Sequence, residues 1–496
     1  IAMLFTRKSL LLLTLLFFAT ACTDEPDSTS TPVTADPERL RQAQLFNERG
    51  THLLQTGRAQ RALTSLQQAV KLAPGKAEIL LRIGLAQAQL ERHEEAIATF
   101  TNAVELALND PALFFALGSS LRAQHRYAEA IVQLQRAIEL TPDRPHYHFR
   151  LGDTFRSLSN FEAALESFAA ALHLNPDHAE ALYLRADLLA RLDSVDAAET
   201  GFMRALQLAP SQLPAYLALA SLYSKQKRHT AAIDILRQAL AQEPRHAQTH
   251  YLLSQAYAQE NQPALSADAM QTFQRLSAAQ RHYDQGNVYA NRNDWERAST
   301  SLSSAIQVDS THLQAHLRLS MAHLYRSAPA QSITVLRQAL ALDPLNLEAH
   351  NLLGEAHLLA GDLPTAQDAF SAALKLDSTS VRASYNLGRT AYQAQDFKAA
   401  INAFHRALSG DPDHRDTYYN MGLAYIKLGH ERRAAKSFQQ CLELNPGDLQ
   451  ANYALGQLFM RHDAPDLARK AFEKILQQDP DHAQARQRLA QLEQTP

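Results

Sequence analysis

YYNMGLAYIKLG, residues 418–429, holds no nucleophile, no metal-ligand pair and no phosphate-binding loop, yet variants of it return along most of the chain. Tyr418, Met421, Gly422 and Tyr425 stand at i, i+3, i+4 and i+7, which is one face of an α-helix. Ala434, Phe438 and Cys441 form a second face, and Pro446 closes the segment, because proline cannot continue a helix. The pattern predicts a helix, a tight turn and a second helix.

Aligned on that stretch, the chain repeats with a period of 34. Frames beginning at Ala43, Ala77, Pro111, Pro145, Ala179, Leu213, Ala247, Ala279, Leu313, Leu347, Val381, Arg415 and Leu449 yield thirteen units, and repetition at this period means a solenoid. Place eight is small in every unit, from Gly50 to Gly456, and place twenty is alanine except at Ser266 and Ser332. Place twenty-four is always large and apolar, as in Leu66, Phe100, Met270, Phe404 and Phe472. Small residues on two helices with a large one between them predict close helix pairs with a filled core. Scarce glycine and abundant Ala, Leu and Gln point to an all-α chain. The 48 Lys and Arg against 51 Asp and Glu leave no basic surplus for a nucleic-acid backbone, so no nucleic-acid partner is expected.

The sequence resembles the tetratricopeptide-repeat (TPR) family. Its signature W-x2-L-G-x2-Y, then A-x3-F, then A and P, is matched by Tyr418, Met421, Gly422, Tyr425, Ala434, Phe438, Cys441 and Pro446. The resemblance covers residues 43–482 and implies a superhelical solenoid of helix-turn-helix units. Trp is absent from place four throughout, and the seventh unit, 247–278, is two residues short and lacks the closing proline. Phe273 stands there where alanine is expected. The missing Trp is common variation, but the shortened seventh unit and Phe273 predict two arrays, 43–278 with seven units and 279–482 with six, meeting at a change of superhelical direction; one continuous superhelix with a local distortion is the alternative. Residues 483–496 would hold the C-terminal cap helix that terminal repeats need.

At the N-terminus, Arg7 and Lys8 precede an apolar run from Leu10 to Phe18, with Met3 as the expected start. The run is shorter than the roughly 20 residues that span a bilayer, so residues 1–21 read as a signal peptide. Ala19-Thr20-Ala21-Cys22 resembles a bacterial lipobox, which implies lipid attachment at Cys22 and a membrane partner through that anchor; ordinary secretion with a free thiol is the alternative. Residues 22–42 read as the lipidated N-terminus and a flexible tether rich in Ser, Thr, Pro and acid. Thr23 after the cysteine fits outer-membrane sorting, with the body facing the periplasm or the cell surface.

Outside the array the sequence leaves a tether and a short tail, which points to a non-enzymatic protein without a cofactor. His93-Glu94 and His430-Glu431 are near-misses to a zinc-protease motif, because Ile97 and Ala434 stand where HExxH needs histidine. His316, His323, His350 and His357 occupy places where other units carry Tyr, Phe or Leu, so packing accounts for them and no metal is expected. The resemblance implies a concave surface lined by places two, five, nine and twelve of the first helix. Place five is aromatic in eight units: Phe115, Phe149, Tyr183, Tyr251, Tyr283, Tyr385, Tyr419 and Tyr453. Such rings suit recognition of a protein or peptide partner, although they also serve as filler. Arg382, Tyr385, Arg389 and Tyr392, extended by Lys427 and Arg461, read as a grip for an acidic segment. No unit has lysine at place five, as chaperone-binding members of the family have, and Asn386 and Asn420 resemble two rungs of a ladder that holds a peptide backbone. The reading is a membrane-tethered interaction scaffold of the bacterial cell envelope; the alternative is a carbohydrate-binding or cell-wall-associated lipoprotein that stacks sugars on the aromatic row.

Overall fold

The computed structural model describes residues 37–494, so the expected signal peptide and Cys22 lie outside the described residues. The described residues form twenty-six helices and no strand. No helix among them is long and apolar enough to cross a membrane. The first helix, α1 (Pro37–Gln55), starts ahead of the Ala43 frame, so residues 37–42 are helical rather than part of the tether. Pro37 at the start and Glu38 in the first turn suit the N-terminal end of a helix.

From there the expected pair recurs, with 13 residues in the first helix and 14 in the second, as in α3 (Ala77–Gln89) and α4 (His93–Leu106). The turn within each unit is built on place fifteen, which has positive φ from Gly57 to Asp463. Arg92 N–H then bonds Gln87 C=O and Glu91 N–H bonds Ala88 C=O, closing the helix end. Ten non-glycine residues hold this left-handed geometry at φ from 53° to 63°, where a side chain costs about 1–2 kcal/mol. Glu91→Gly and Lys227→Gly are therefore expected each to raise stability by about 0.5–1 kcal/mol, after the entropy of glycine is subtracted, as read by urea unfolding.

The core between paired helices follows from places eight, twenty and twenty-four. Phe100, Phe168, Phe202, Phe370, Phe404, Phe438 and Phe472 are fully buried. A Cβ on Gly84 would stand 2.4 Å from the Phe100 ring, and one on Gly354 would stand 2.6 Å from Phe370. Place twenty is likewise sealed, with Ala96, Ala130, Ala400 and Ala434 at zero exposure. In the seventh unit both small places are serine, and Ser266 Oγ donates to the Ser254 carbonyl at 2.8 Å.

The described chain divides into two compact units, one ending at Ala218 and the other beginning at Leu219, a division that falls within α11 (Leu213–Lys225). The expected array boundary at 278/279 lies inside the second unit. There the turn between repeats is missing, and α14 (Pro263–Asn291) runs on for 29 residues as the second helix of one repeat and the first of the next. Phe273 packs beside Tyr251 at 5.2 Å, making the contact that a ring at place twenty-four makes in other units.

An ionic centre ties this seam together. Asp309, which follows α15 (Trp295–Val308), is fully buried. Arg245, in the turn between α12 (His229–Gln242) and α13 (Ala247–Gln259), reaches it at 2.5 Å, and Arg275 on α14 reaches it at 2.9 Å. Thr311 donates its N–H and its hydroxyl to the same carboxylate. Burial pushes the Asp309 pKa up, but the Thr311 bonds and the two guanidinium groups outweigh it and hold the carboxyl below its usual range. Asp377 makes the same local turn with Thr379, so the arginines are what the seam adds.

Candidate functional site

The eight place-five rings each sit on a first helix and pack downward into their own unit. Phe149, Tyr183, Tyr385, Tyr419 and Tyr453 lie against Phe168, Phe202, Phe404, Phe438 and Phe472, at centroid distances of 5.9, 6.1, 6.1, 5.8 and 5.8 Å. Phe115 stacks on Tyr147 at 4.7 Å, and the Tyr251 hydroxyl accepts from Gln255. Phe149 is buried, while the other seven rings are half-buried and keep an accessible edge. The row is thus part core and part surface.

Histidines at the last place of a unit complete this arrangement. His178 and His312 cap the helices that follow them, with Nδ1 accepting from Ala181 N–H at 3.2 Å and from Ala315 N–H at 3.3 Å. Their rings rest on Phe149 at 4.6 Å and Tyr283 at 4.8 Å. His482 accepts from Ala485 N–H and lies 6.1 Å from Tyr453, and His414 lies 4.9 Å from Tyr385. Asp110, Asn346, Ser380 and Asp448 cap from the same place, and that shared column was the available signal. Place four has a further role, because His148, His250, His350 and Tyr418 each bond the carbonyl of the preceding turn proline. These bonds engage His350, while His316 is buried and bonds the His312 carbonyl, and His357 bonds Asp362. Among the described residues no group of three or more His, Cys, Asp or Glu side chains could hold a metal ion.

The expected acid grip is largely closed from within. Arg382 on α20 (Val381–Gln393) makes a two-pronged bond to Glu355 on α18 (Leu347–Leu359), at 2.8 and 3.0 Å. Asn386 donates to the same carboxylate at 2.8 Å, and Arg389 donates to Asn386 while lying 5.8 Å above the Tyr385 ring. Asn420 donates to the Tyr385 hydroxyl at 3.0 Å, so neither asparagine is a free rung. Arg461 pairs with Glu431 at 3.0 Å. Tyr392 packs against Phe397 at 5.4 Å, and Lys427 is exposed. The first compact unit repeats the motif, with Asp153 taking both Arg122 and Arg156. Charges on this face link neighbouring repeats to one another. Cys441 belongs to the core, where burial pushes its thiol up to about 12.

Residues 47–111, 150–212, 217–280, 317–381, 360–415, 385–430 and 419–483 match the tetratricopeptide repeat, and residues 118–158 match a TPR repeat. The chain belongs to the tetratricopeptide-repeat family. Among solved structures this TPR chain is similar to the APC/C hetero-tetramer Cut9–Hcn1, at 17% identity over 93% of this chain and 99% of that one, with a TM-score of 0.40. It is also similar to MamA, at 26% identity over 34% of this chain and 97% of that one, TM-score 0.32. YrrB, a TPR protein with an unusual peptide-binding site, shares 20% identity over 37% of this chain and 95% of its own, TM-score 0.34. No curated protein matches the sequence.

Proposed function

We propose that this TPR protein is a non-enzymatic scaffold of the bacterial cell envelope, tethered through a lipid at Cys22 to the outer membrane, the sorting that Thr23 after the cysteine fits, and that it holds extended peptide segments of other envelope proteins on the concave surface of its first helices. The observation that carries the reading is the row of place-five rings, seated on the cores of their units, of which all but the buried Phe149 keep an accessible edge. Tyrosine so held offers broad apolar contact and a hydroxyl with little entropy left to lose. Because Glu355 already neutralises Arg382, peptide contact here rests on rings and hydrogen-bonding groups more than on free positive charge. The lipobox-like Ala19-Thr20-Ala21-Cys22 and the acidic segment after it support the tether.

Photo-crosslinking in the native cell tests this, with the probe at Tyr385 or Tyr419 and a control at the exposed Gln338 on α17 (Pro329–Leu342). Discrete protein adducts from the two ring positions alone are expected. Equal, diffuse labelling from all three positions would sink the concave-face reading. Globomycin sensitivity of maturation, or its absence in Cys22→Ser, tests the anchor separately.

A further inference from the structure

The cations of the last units are distributed unevenly between the two kinds of helix. On first helices Arg382, Arg415 and Arg461 have acidic partners, Arg415 in Asp416 and Asp448, while Arg389 bonds Asn386 and Lys427 is exposed. The second-helix cations have none. Lys398 and Arg406 on α21 (Phe397–Gly410) and Arg432, Arg433 and Lys436 on α23 (Glu431–Leu444) are exposed, and no ion pair among the described residues engages them.

Between these two helices lies a cavity of about 700 Å³. Tyr418, Met421 and Tyr425 of α22 (Arg415–Lys427) form its floor; His405 stands on one rim, and Arg433 and Lys436 on the other. No acidic side chain lines it. The Arg433 guanidinium lies 5.9 Å from the Tyr425 ring centre, so cation and ring present together. Unit twelve alone combines Arg at place nineteen with Lys at place twenty-two; unit thirteen has Leu467 and Lys470 there, and every other unit carries Glu, Ala, Thr or Asp at one or both. At 100° per residue, places four, seven and eleven lie on the side of α22 opposite Tyr419, so this cavity is a different surface from the place-five row.

We infer that the cavity between α21 and α23 is a second binding site, which takes an acidic peptide segment of a partner protein with one apolar or aromatic side chain on the Tyr-Met floor. The volume falls within the range of ligand pockets, roughly 300–1,000 Å³, and suits one bulky side chain with its flanking backbone. Unpaired cations continue past the cavity at Lys398, Arg406 and Arg432, and places twenty-two and twenty-six of α25 (Pro465–Gln478) add Lys470 and Lys474. That spread suits an extended polyanion better than a compact one. A flat anionic membrane would meet the rim charges but not the floor, where Met421 and Tyr425 are buried.

Fluorescence anisotropy of the full described chain with a fluorescein-labelled peptide of alternating glutamate and phenylalanine tests the site. Saturable binding is expected, weakened about tenfold or more by Arg433→Glu combined with Lys436→Glu and weakened by added salt. Both side chains are exposed, so the thermal unfolding curve should be unchanged. Arg389→Glu, on the opposite helix face, should leave this binding intact, which separates the site from the concave-face reading. Unchanged affinity in the charge-reversed variant, equal binding of the glutamine and phenylalanine peptide, or no binding of the acidic peptide at concentrations on the order of 1 mM would overturn the proposal. Charge-dependent capture of phosphatidylglycerol vesicles without peptide binding would overturn it in favour of a membrane surface.

Discussion

Replacing Asp309 by asparagine lowers the stability of the second compact unit by about 2–3 kcal/mol. Breaking a buried ion pair costs about 3–5 kcal/mol, and the lower end applies because solvent reaches both arginine partners. Asparagine can still accept from Thr311, but it leaves Arg245 and Arg275 facing a neutral amide. Asp377→Asn, in the same kind of turn without arginines, is the control and should cost far less. Urea unfolding followed by circular dichroism reads the difference; equal losses for the two variants would show that the turn, rather than the charge cluster, holds the seam. The same centre makes the unit acid-sensitive in two stages. Burial, with Arg245 beside it, lowers the His312 pKa, and burial lowers that of His316. A depressed histidine contributes fully above its ordinary value of 6.5 and loses that contribution as the pH falls through the folded value. Asp309 is also depressed, so its contribution is complete above 3.8 and disappears below that as the pH falls through its folded value. The melting temperature should therefore fall from about pH 6.5 downward, and His312→Asn, which keeps a cap without a titrating ring, should flatten the first stage.

The helix pairs could be read from the chain because their chemistry is local and repeated. Gly422 and Phe438 are 16 residues apart in one unit, and a core that needs one small and one large residue leaves the same mark in every copy. Place fifteen left no such mark. Its backbone is left-handed in every unit, but only Gly57, Gly361 and Gly429 advertise it, and the other residues accept the strain. The seam was visible as a two-residue deletion, but its consequence was not, since a missing turn can break an array or fuse two helices. Fusion occurs here, with Arg245 and Asp309, 64 residues apart, meeting across α14. The candidate site was half visible for the same reason. Rings at place five repeat in step, whereas the partner of Arg382 is Glu355, 27 residues away on the preceding repeat and at a different place in its frame. Periodicity shows which face a residue shares, but the charge that neutralises it comes from the neighbouring unit.

Gly422→Ala should destabilise the C-terminal repeats by about 1–3 kcal/mol, and Phe438→Leu should recover much of that loss in the double variant. A methyl on Gly422 would stand 2.6, 2.8 and 2.9 Å from three atoms of the Phe438 ring, which is fully buried and cannot turn aside. Helix propensity alone favours alanine by up to about 1 kcal/mol, so the sign of the measured change shows which effect wins. Overpacking should win, because α22 must move outward from α23 to admit the methyl. Two other units show how the chain accommodates alanine at this place. Unit five pairs Ala186 with Phe202 and has Gly201 opposite, where a Cβ would meet Ala186 at 2.9 Å; unit twelve has Ser437 there and no such relief. Unit six pairs Ala220 with Leu236, both at 1% exposure, which is the pair the double variant recreates. Phe438→Leu alone should cost about 1–2 kcal/mol for the space it leaves. The double variant should then lie above the sum of the singles by at least about 1 kcal/mol of coupling, and strict additivity would mean that the two residues do not constrain each other. Hydrogen exchange should place the loss in the units around α22, since each repeat is stabilised by its neighbours. That helix carries Tyr419 on one face and the Tyr418 and Tyr425 floor on the other, so a shift that opens the Gly422–Phe438 contact should weaken both proposed binding surfaces together.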